Sequence, residues 1–359
     1  MPPPLPRELP IDGTLLTAVD DAAAALGELV GATRRLPNPR LLIAPCLRRE
    51  AVLSSRIEGT QSTLSDLYEA EAGQTALFET TDVREVTNYV RALERGWRRL
   101  DTLPLSLRLV RELHEHLMRD VRGGDQAPGA FRRDQSFIGP PGAAMADATY
   151  VPPPVPQMHE ALDDLERFLQ EEAIQPLVAA GMAHAQFEAI HPFRDGNGRV
   201  GRLLIPLVLH ARARLPDPVL YLSAYFERSR DEYYRRLMRV STHGDWPGWL
   251  GYFLTGVRVQ ALAASADADR LIGLERDLRE RLRSARVRPT ALRLLDHLFV
   301  NPVVTARRAE ELLGVSNPGA RQAIGVLAEH GVLEEVTGRS YGRRWVARDI
   351  LRAIEGATT

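Results

Sequence analysis

Lysine is absent from this 359-residue chain, so all 46 of its basic side chains are arginine. A phosphate-binding P-loop needs a lysine that reaches the β and γ phosphates, and that kind of nucleotide site is excluded. A nucleotide would have to be held by arginine, backbone N–H groups and metal. Cysteine is nearly absent too. Cys46 stands alone, cannot close an intrachain disulfide and fits a reducing compartment. No apolar run approaches the roughly 18 residues that span a bilayer. The start, MPPPLPRELP, lacks the basic and apolar regions of a secretory signal. The expectation is a cytoplasmic protein that makes no use of a membrane. An excess of one charge is also missing: the net charge is −1, which rules out a whole-molecule electrostatic trap for nucleic acid.

What the chain does have is enough apolar material, 44% of positions beside 26% charged, for two or three domains with buried cores. Apolar residues fall at helical spacing over 14–35 and 40–58, with Gly59 as a stop signal. Residues 82–119 predict two more helices, broken near Leu103 and Pro104. Short β-prone pieces at 136–138 and 149–151 flank a Gly/Pro/Ala loop and predict a hairpin, closed off by Pro152–Pro154. Helical patterns return at 156–171, 176–189 and 198–214, then through 228–283. Beyond 286 the order is helix, helix, turn, helix and a two-stranded wing turning at 338–342, the order of a winged helix-turn-helix. Ten arginines stand against six acids between 286 and 348, a modest basic bias. Arg321 and Gln322 are the polar candidates there for reading DNA, and a protein partner is an equal alternative.

The chemistry concentrates at residues 191–202, HPFRDGNGRVGR, between two helical runs. Gly196 and Gly198 allow successive N–H groups to converge on an anion. The helix that follows adds unpaired donors and the positive end of its dipole. The result is a phosphate cradle built without lysine. Asp195 is a hard oxygen ligand suited to Mg²⁺. Arg199 and Arg202, three apart, can neutralise phosphate oxygens, and His191 can accept a hydroxyl proton.

This segment resembles the signature of the Fic family, H-x-F-x-[D/E]-G-N-G-R-x-x-R, at all eight specified positions. The likeness covers roughly residues 1–270, including SSRIEGT at 54–60 and LYLSAYFERSRDEYYRRL at 220–237. It implies a mainly α fold: a helical Fic core with a small β-hairpin flap, followed here by the winged helix-turn-helix. The implied divisions are an N-terminal helical region 1–100 with an inhibitory helix at about 46–59, a catalytic core 101–283 and the winged unit 286–348.

The implied activity is transfer of AMP from ATP, with Mg²⁺, to a Tyr, Thr or Ser hydroxyl of a target protein or of the chain itself. By the same resemblance His191 is the base, Phe193 the loop anchor and Asp195 the metal ligand. Gly196, Asn197 and Gly198 hold the α and β phosphates, Arg199 supports the phosphates, Arg202 meets the γ phosphate, Val200 and Gly201 complete the nucleotide-binding segment, and Tyr234 meets adenine or ribose. Ser54, Glu58 and Gly59 match the family's inhibitory pattern [S/T]-x-x-x-E-[G/N], with Glu58 competing for Arg202. Ile138, Gly139, Thr149 and Tyr150 match the flap that docks an extended target segment by strand addition. Removal of AMP from a modified protein stays open as an alternative. So does a winged-helix transcriptional regulator with a nucleotide-sensing core. A second copy of the chain is a candidate partner.

Overall fold

The first 35 residues already show how this chain makes helices: a polar cap, then an apolar stripe. In the computed structural model, which describes residues 4–10, 12–35, 38–73, 80–140, 142, 144–212, 214–338 and 342–356, Asp12 accepts the Leu15 N–H at 2.8 Å and opens α1 (Gly13–Arg34). Thr80 opens α4 (Thr81–Arg99) and Ser106 opens α5 (Leu107–Leu117) in the same way. Between α1 and α4 lie α2 (Arg40–Ile57) and α3 (Leu64–Glu71). The sequence patterns miss α3, whose eight residues are too few for a clear period. Its signal is the reciprocal capping box of Thr63 and Asp66.

The core follows as α6 (Val155–Gln170), α7 (Pro176–Ile190), α8 (Asn197–Ala211), α9 (Ser223–Arg228), α10 (Arg230–His243) and α11 (Trp246–Ser284). Apolar and small residues surround α7 on nearly every side, so it becomes the buried centre. It packs on α6, α8, α10 and α11. The N-terminal region does not stand apart. α1 lies along α11, and α2 packs on α4, α8 and α9. Helix α11, 39 residues and about 58 Å long, carries the chain from the core to the C-terminal unit.

That unit is α12 (Pro289–Leu298), β1 (Val303–Thr305), α13 (Ala306–Leu313), α14 (Asn317–Glu329), β2 (Glu334–Glu335) and β3 (Arg344–Val346). The strands form an antiparallel sheet in the order β1-β3-β2, with Val346 opposite both Val303 and Glu334. The two-stranded wing therefore gains a third strand, which the sequence reading lacked because VVT is only three residues long. The expected turn at 338–342 lies partly outside the described residues, at 339–341.

A further helix, α15 (Arg348–Glu355), begins where the expected unit ends and packs back on α11 and α2. The hairpin at 131–151 is smaller than expected. A single antiparallel bridge joins Ile138 and Tyr150, because the Pro-rich exit and a 3₁₀ turn at Met145–Asp147 leave no room for a longer ladder. The expectation of a mainly helical chain holds. No helix among the described residues is long and apolar enough to cross a membrane.

Candidate active site

α7 ends because Pro192 disfavours a helical conformation in the residue before it. His191 caps the helix in the left-handed region, φ 48° and ψ 60°, with its N–H still bonded to Phe187 O at 3.0 Å. The chain turns through 192–196 and re-enters helix at Asn197. Gly196, at φ 75°, makes the second reversal that a side chain would resist. Two buried groups fix this turn. Asn197 accepts the Phe193 N–H and donates to Phe193 O, both at 2.8 Å. The Phe193 ring stacks on His114 at 3.7 Å. His114 Nδ1 accepts the Gly129 N–H at 2.8 Å, which leaves the proton on Nε2 to donate to Asp195 O at 3.0 Å. Burial holds His114 at a pKa of about 4, so it stays neutral in this bracing role.

The turn forms the floor of a cleft of about 630 Å³. His191, Asp195, Gly196, Asn197, Gly198 and Arg202 line it, facing Glu58 from α2, Tyr234 from α10, and Ile138, Gly139, Thr149 and Tyr150 at the mouth. Residues as far apart along the chain as Glu58 and Ser241 thus meet at one cavity. Burial lowers the pKa of His191 to about 4 against the opposing pull of Glu58, which leaves a neutral imidazole able to take a proton. Asp195 is 46% exposed and accepts the Gly196 N–H at 2.6 Å.

Arg202 is 1% exposed at the side chain and bonded through Nε and Nη2. Its Nε donates to Ser54 Oγ at 2.8 Å, and its Nη2 donates to Ser54 O at 2.9 Å and to Glu58 Oε1 at 2.6 Å. Burial would raise the pKa of Glu58, but the Arg202 guanidinium outweighs it and holds the carboxyl below its ordinary range. Glu58 reaches so far into the cleft that a Cβ on Gly198 would lie 2.2 Å from its Oε1. A glycine is needed there for close approach, whereas Gly196 needs its backbone freedom.

Not every residue expected to hold nucleotide faces the cleft. Arg199 is buried and pairs with Glu85 at 3.0 Å. Val200 is in the core, and Gly201 lies against Glu188 and His184. Helical geometry separates them: 198 and 202 are about one turn apart and share a face, while 199–201 point elsewhere. Asn197 turns its side chain into the loop and leaves only its surface at the cleft. Of the two adjacent tyrosines, Tyr233 is buried with its hydroxyl 2.9 Å from His184 Nε2. Tyr234 is 42% exposed, with the Arg230 guanidinium 5.8 Å from its ring centre.

Three features escaped the sequence reading. Glu188, one turn before His191, lines the cleft with a buried Oε1 that has no hydrogen-bond partner, and burial raises its pKa to about 7. Glu50 on α2 is buried and accepts from Tyr89 Oη at 2.9 Å and Ser223 Oγ at 2.6 Å. Arg132 braces the backbone of His191. An E-x-x-H spacing was a legible hint for Glu188. The other two depend on long-range contacts with no local signature.

Residues 16–98 match the Fic/DOC family N-terminal model and residues 104–209 the Fic/DOC family model. The chain is 35% identical over 96 residues to protein adenylyltransferase fic-1 of Caenorhabditis elegans, covering 26% of this chain and 18% of that protein. It is 30% identical over 152 residues to protein adenylyltransferase Fic of Drosophila erecta, covering 40% and 26%. The chain thus spans about a quarter or less of the curated relatives it matches. A Fic family protein from Desulfovibrio desulfuricans shares the fold over 96% of this chain and 98% of its own, at TM-score 0.57 and 22% identity. Fic-1 of C. elegans does so over 73% and 74%, at TM-score 0.52 and 22% identity. With both family segments present in order and the fold shared over nearly the whole chain, this protein belongs to the Fic/DOC family.

Proposed function

We propose that this protein transfers AMP from ATP to the hydroxyl of a tyrosine, threonine or serine on a target protein or on itself, and that Glu58 restrains the reaction. The observation that carries the reading is the position of Arg202. A buried guanidinium at the cleft floor, one turn beyond Gly198, is occupied by Glu58 and Ser54 where a nucleotide's terminal phosphate would need it. His191 takes the hydroxyl proton as the oxygen bonds to the α phosphorus. The bond from that phosphorus to the bridging oxygen breaks, and pyrophosphate leaves with the electron pair. Asn197 and Gly198 offer helix N-terminal N–H groups to the phosphates, and Gly196, whose own N–H is bonded to Asp195, supplies the turn that aims them. Tyr234 offers a ring face to the base or sugar, and the Ile138–Tyr150 bridge offers an edge to an extended target segment.

Asp195 is the residue suited to Mg²⁺. Its carboxylate is 46% exposed and lines the cleft beside Gly196 and Gly198, which fits an ion that takes one or two carboxylates and completes its shell with phosphate and water. When bound, the ion would neutralise phosphate charge. The names of the relatives, protein adenylyltransferases, support the same reading.

The test is labelling by the Glu58→Gly protein with ATP carrying label at the α or at the γ phosphate. Transfer is expected from the α position alone, and His191→Ala in the same background should slow it by at least ~10²-fold, the lower end for general base catalysis. Transfer from the γ position would replace AMP transfer with phosphorylation.

A further inference from the structure

Arg132 lies outside the signature and outside the cleft lining, yet it is 2% exposed, as buried as Arg202. Arg199 and Arg202 each answer a carboxylate, whereas Arg132 makes no ion pair among the described residues. Its donors go to backbone carbonyls instead: Nε to His191 O at 3.0 Å, Nη1 to Asp134 O at 3.0 Å and Nη2 to Pro153 O at 2.5 Å. Its own N–H donates to Pro192 O at 2.9 Å. These carbonyls belong to three stretches of chain. One is the catalytic turn, one is the leg that enters the flap toward Ile138, and one is the leg that leaves it after Tyr150.

A guanidinium is a planar fork with fixed donor directions. Bonded to all three carbonyls, it sets the distance between the catalytic turn and both flap legs as a rigid spacer. The turn needs such a hold. His191 is a non-glycine residue in the left-handed region, a strained conformation that persists only where surrounding contacts determine it. A second brace runs parallel, from Tyr150 Oη to Ala189 O at 2.7 Å.

We infer that Arg132 is a positioning residue that fixes the His191 ring relative to the flap edge, so that a hydroxyl docked on Ile138–Tyr150 meets the base in register. This rests on the adenylyl-transfer reading. An alternative, that Arg132 only supports the fold, makes different predictions. Arg132 does not line the cleft and reaches it only through the backbone of His191, so its positioning role concerns the approach of hydroxyl and base and leaves nucleotide binding alone.

In the Glu58→Gly background, Arg132→Lys keeps a buried cation but loses the fork. The kcat for α-label transfer should fall about 10–100-fold, the cost of misplaced reacting groups, with the KM for ATP changed less than about threefold. Arg132→Ala should regain part of its rate when free guanidinium is added. If that variant does not fold, the Lys variant decides on the same split. A Lys variant with unchanged kcat, or one that loses kcat and ATP affinity together, would overturn the role. Absence of α-label transfer in the Glu58→Gly parent would instead bring down the adenylyl-transfer reading. Amide exchange would then still decide. Arg132→Lys should lose protection at Ile138 and Tyr150 while α7 keeps its own, and unchanged protection at the bridge would end the proposal.

Discussion

Glu188 shows at the scale of one residue how burial changes chemistry. Its carboxyl sits one turn before His191 and lies against Gly201, with Arg202 and Glu58 as the nearest charges and His184 and Tyr233 packed around it. Burial is the dominant influence, Arg202 opposes it, Glu58 reinforces it, and the pKa rises to about 7. The folded protein therefore holds a proton that the unfolded chain, near the ordinary value of about 4.3, has released. The stability this proton contributes is fully present below about pH 4.3 and is lost as pH rises through 7. Allowing for partial solvation, the loss is about 1–3 kcal/mol. Glu188→Gln has no such proton to lose. Denaturant unfolding at pH 5 and pH 8 should show the variant gaining on wild type at the higher pH. A stability gap equal at both pH values would mean that Glu188 does not titrate in this window. The spacing to His191 was visible in the sequence, but the desolvation behind this behaviour comes from residues of α2, α8 and α10.

At the scale of the element, α2 is held by a polar stripe on one face. Glu50, Ser54 and Glu58 recur every four residues. Glu50 is tied to Tyr89 and Ser223, and the other two to Arg202. Glu58 follows the last helical residue as the C-cap, where the negative end of the dipole disfavours a carboxylate until a cation answers it. One guanidinium cannot serve Glu58 and a phosphate in the same geometry. Glu58→Gly should raise the initial rate of AMP transfer at saturating ATP by roughly 10–100-fold, about 1.4–2.7 kcal/mol of restraint. Arg202→Ala should give no such rise, since it frees the site and removes the phosphate ligand together. A folded Glu58→Gly protein no faster than wild type would refute the restraint. The stripe was partly legible, since Ser54 and Glu58 match a known pattern. Glu50 was not, because its partners lie 39 and 173 residues away.

For the whole molecule, the C-terminal unit is docked onto the rest of the chain. Asn301 donates to Tyr68 O at 3.0 Å, and Arg344 pairs with Glu69 on α3. Arg270 on α11 donates to Ala353 O in α15 at 3.2 Å. The α3 helix in turn joins α2 through Arg48 and Glu71 at 2.8 Å. Removing 286–359 should still leave a folded core that labels itself, because the Fic segments end at 209 and the unit carries its own buried Leu294, Leu298, Ile324 and Leu327. It should also lower the melting temperature by exposing the faces of α2, α3 and α11 now covered. Thermal melting and self-labelling of the truncation beside the full chain measure both. An inactive or insoluble truncation with an active parent would deny the unit its independence.

The helical character of this protein, the residues of its cleft floor and the family it belongs to are legible in the chain alone. Those features are written in residues close together along the chain, as periodic apolar positions, caps and one uninterrupted signature. The tertiary structure alone decided which signature residues face the cleft. It turned Arg199, Val200 and Gly201 away, spent the Asn197 side chain on closing the loop, and supplied Arg132, Glu188 and Glu50 from outside the motif. It also reduced the hairpin to one bridge and bound the C-terminal unit to α3. The reason is physical: a helix distributes consecutive residues around its axis, and a buried polar group takes whichever partner the packing of distant segments brings within reach.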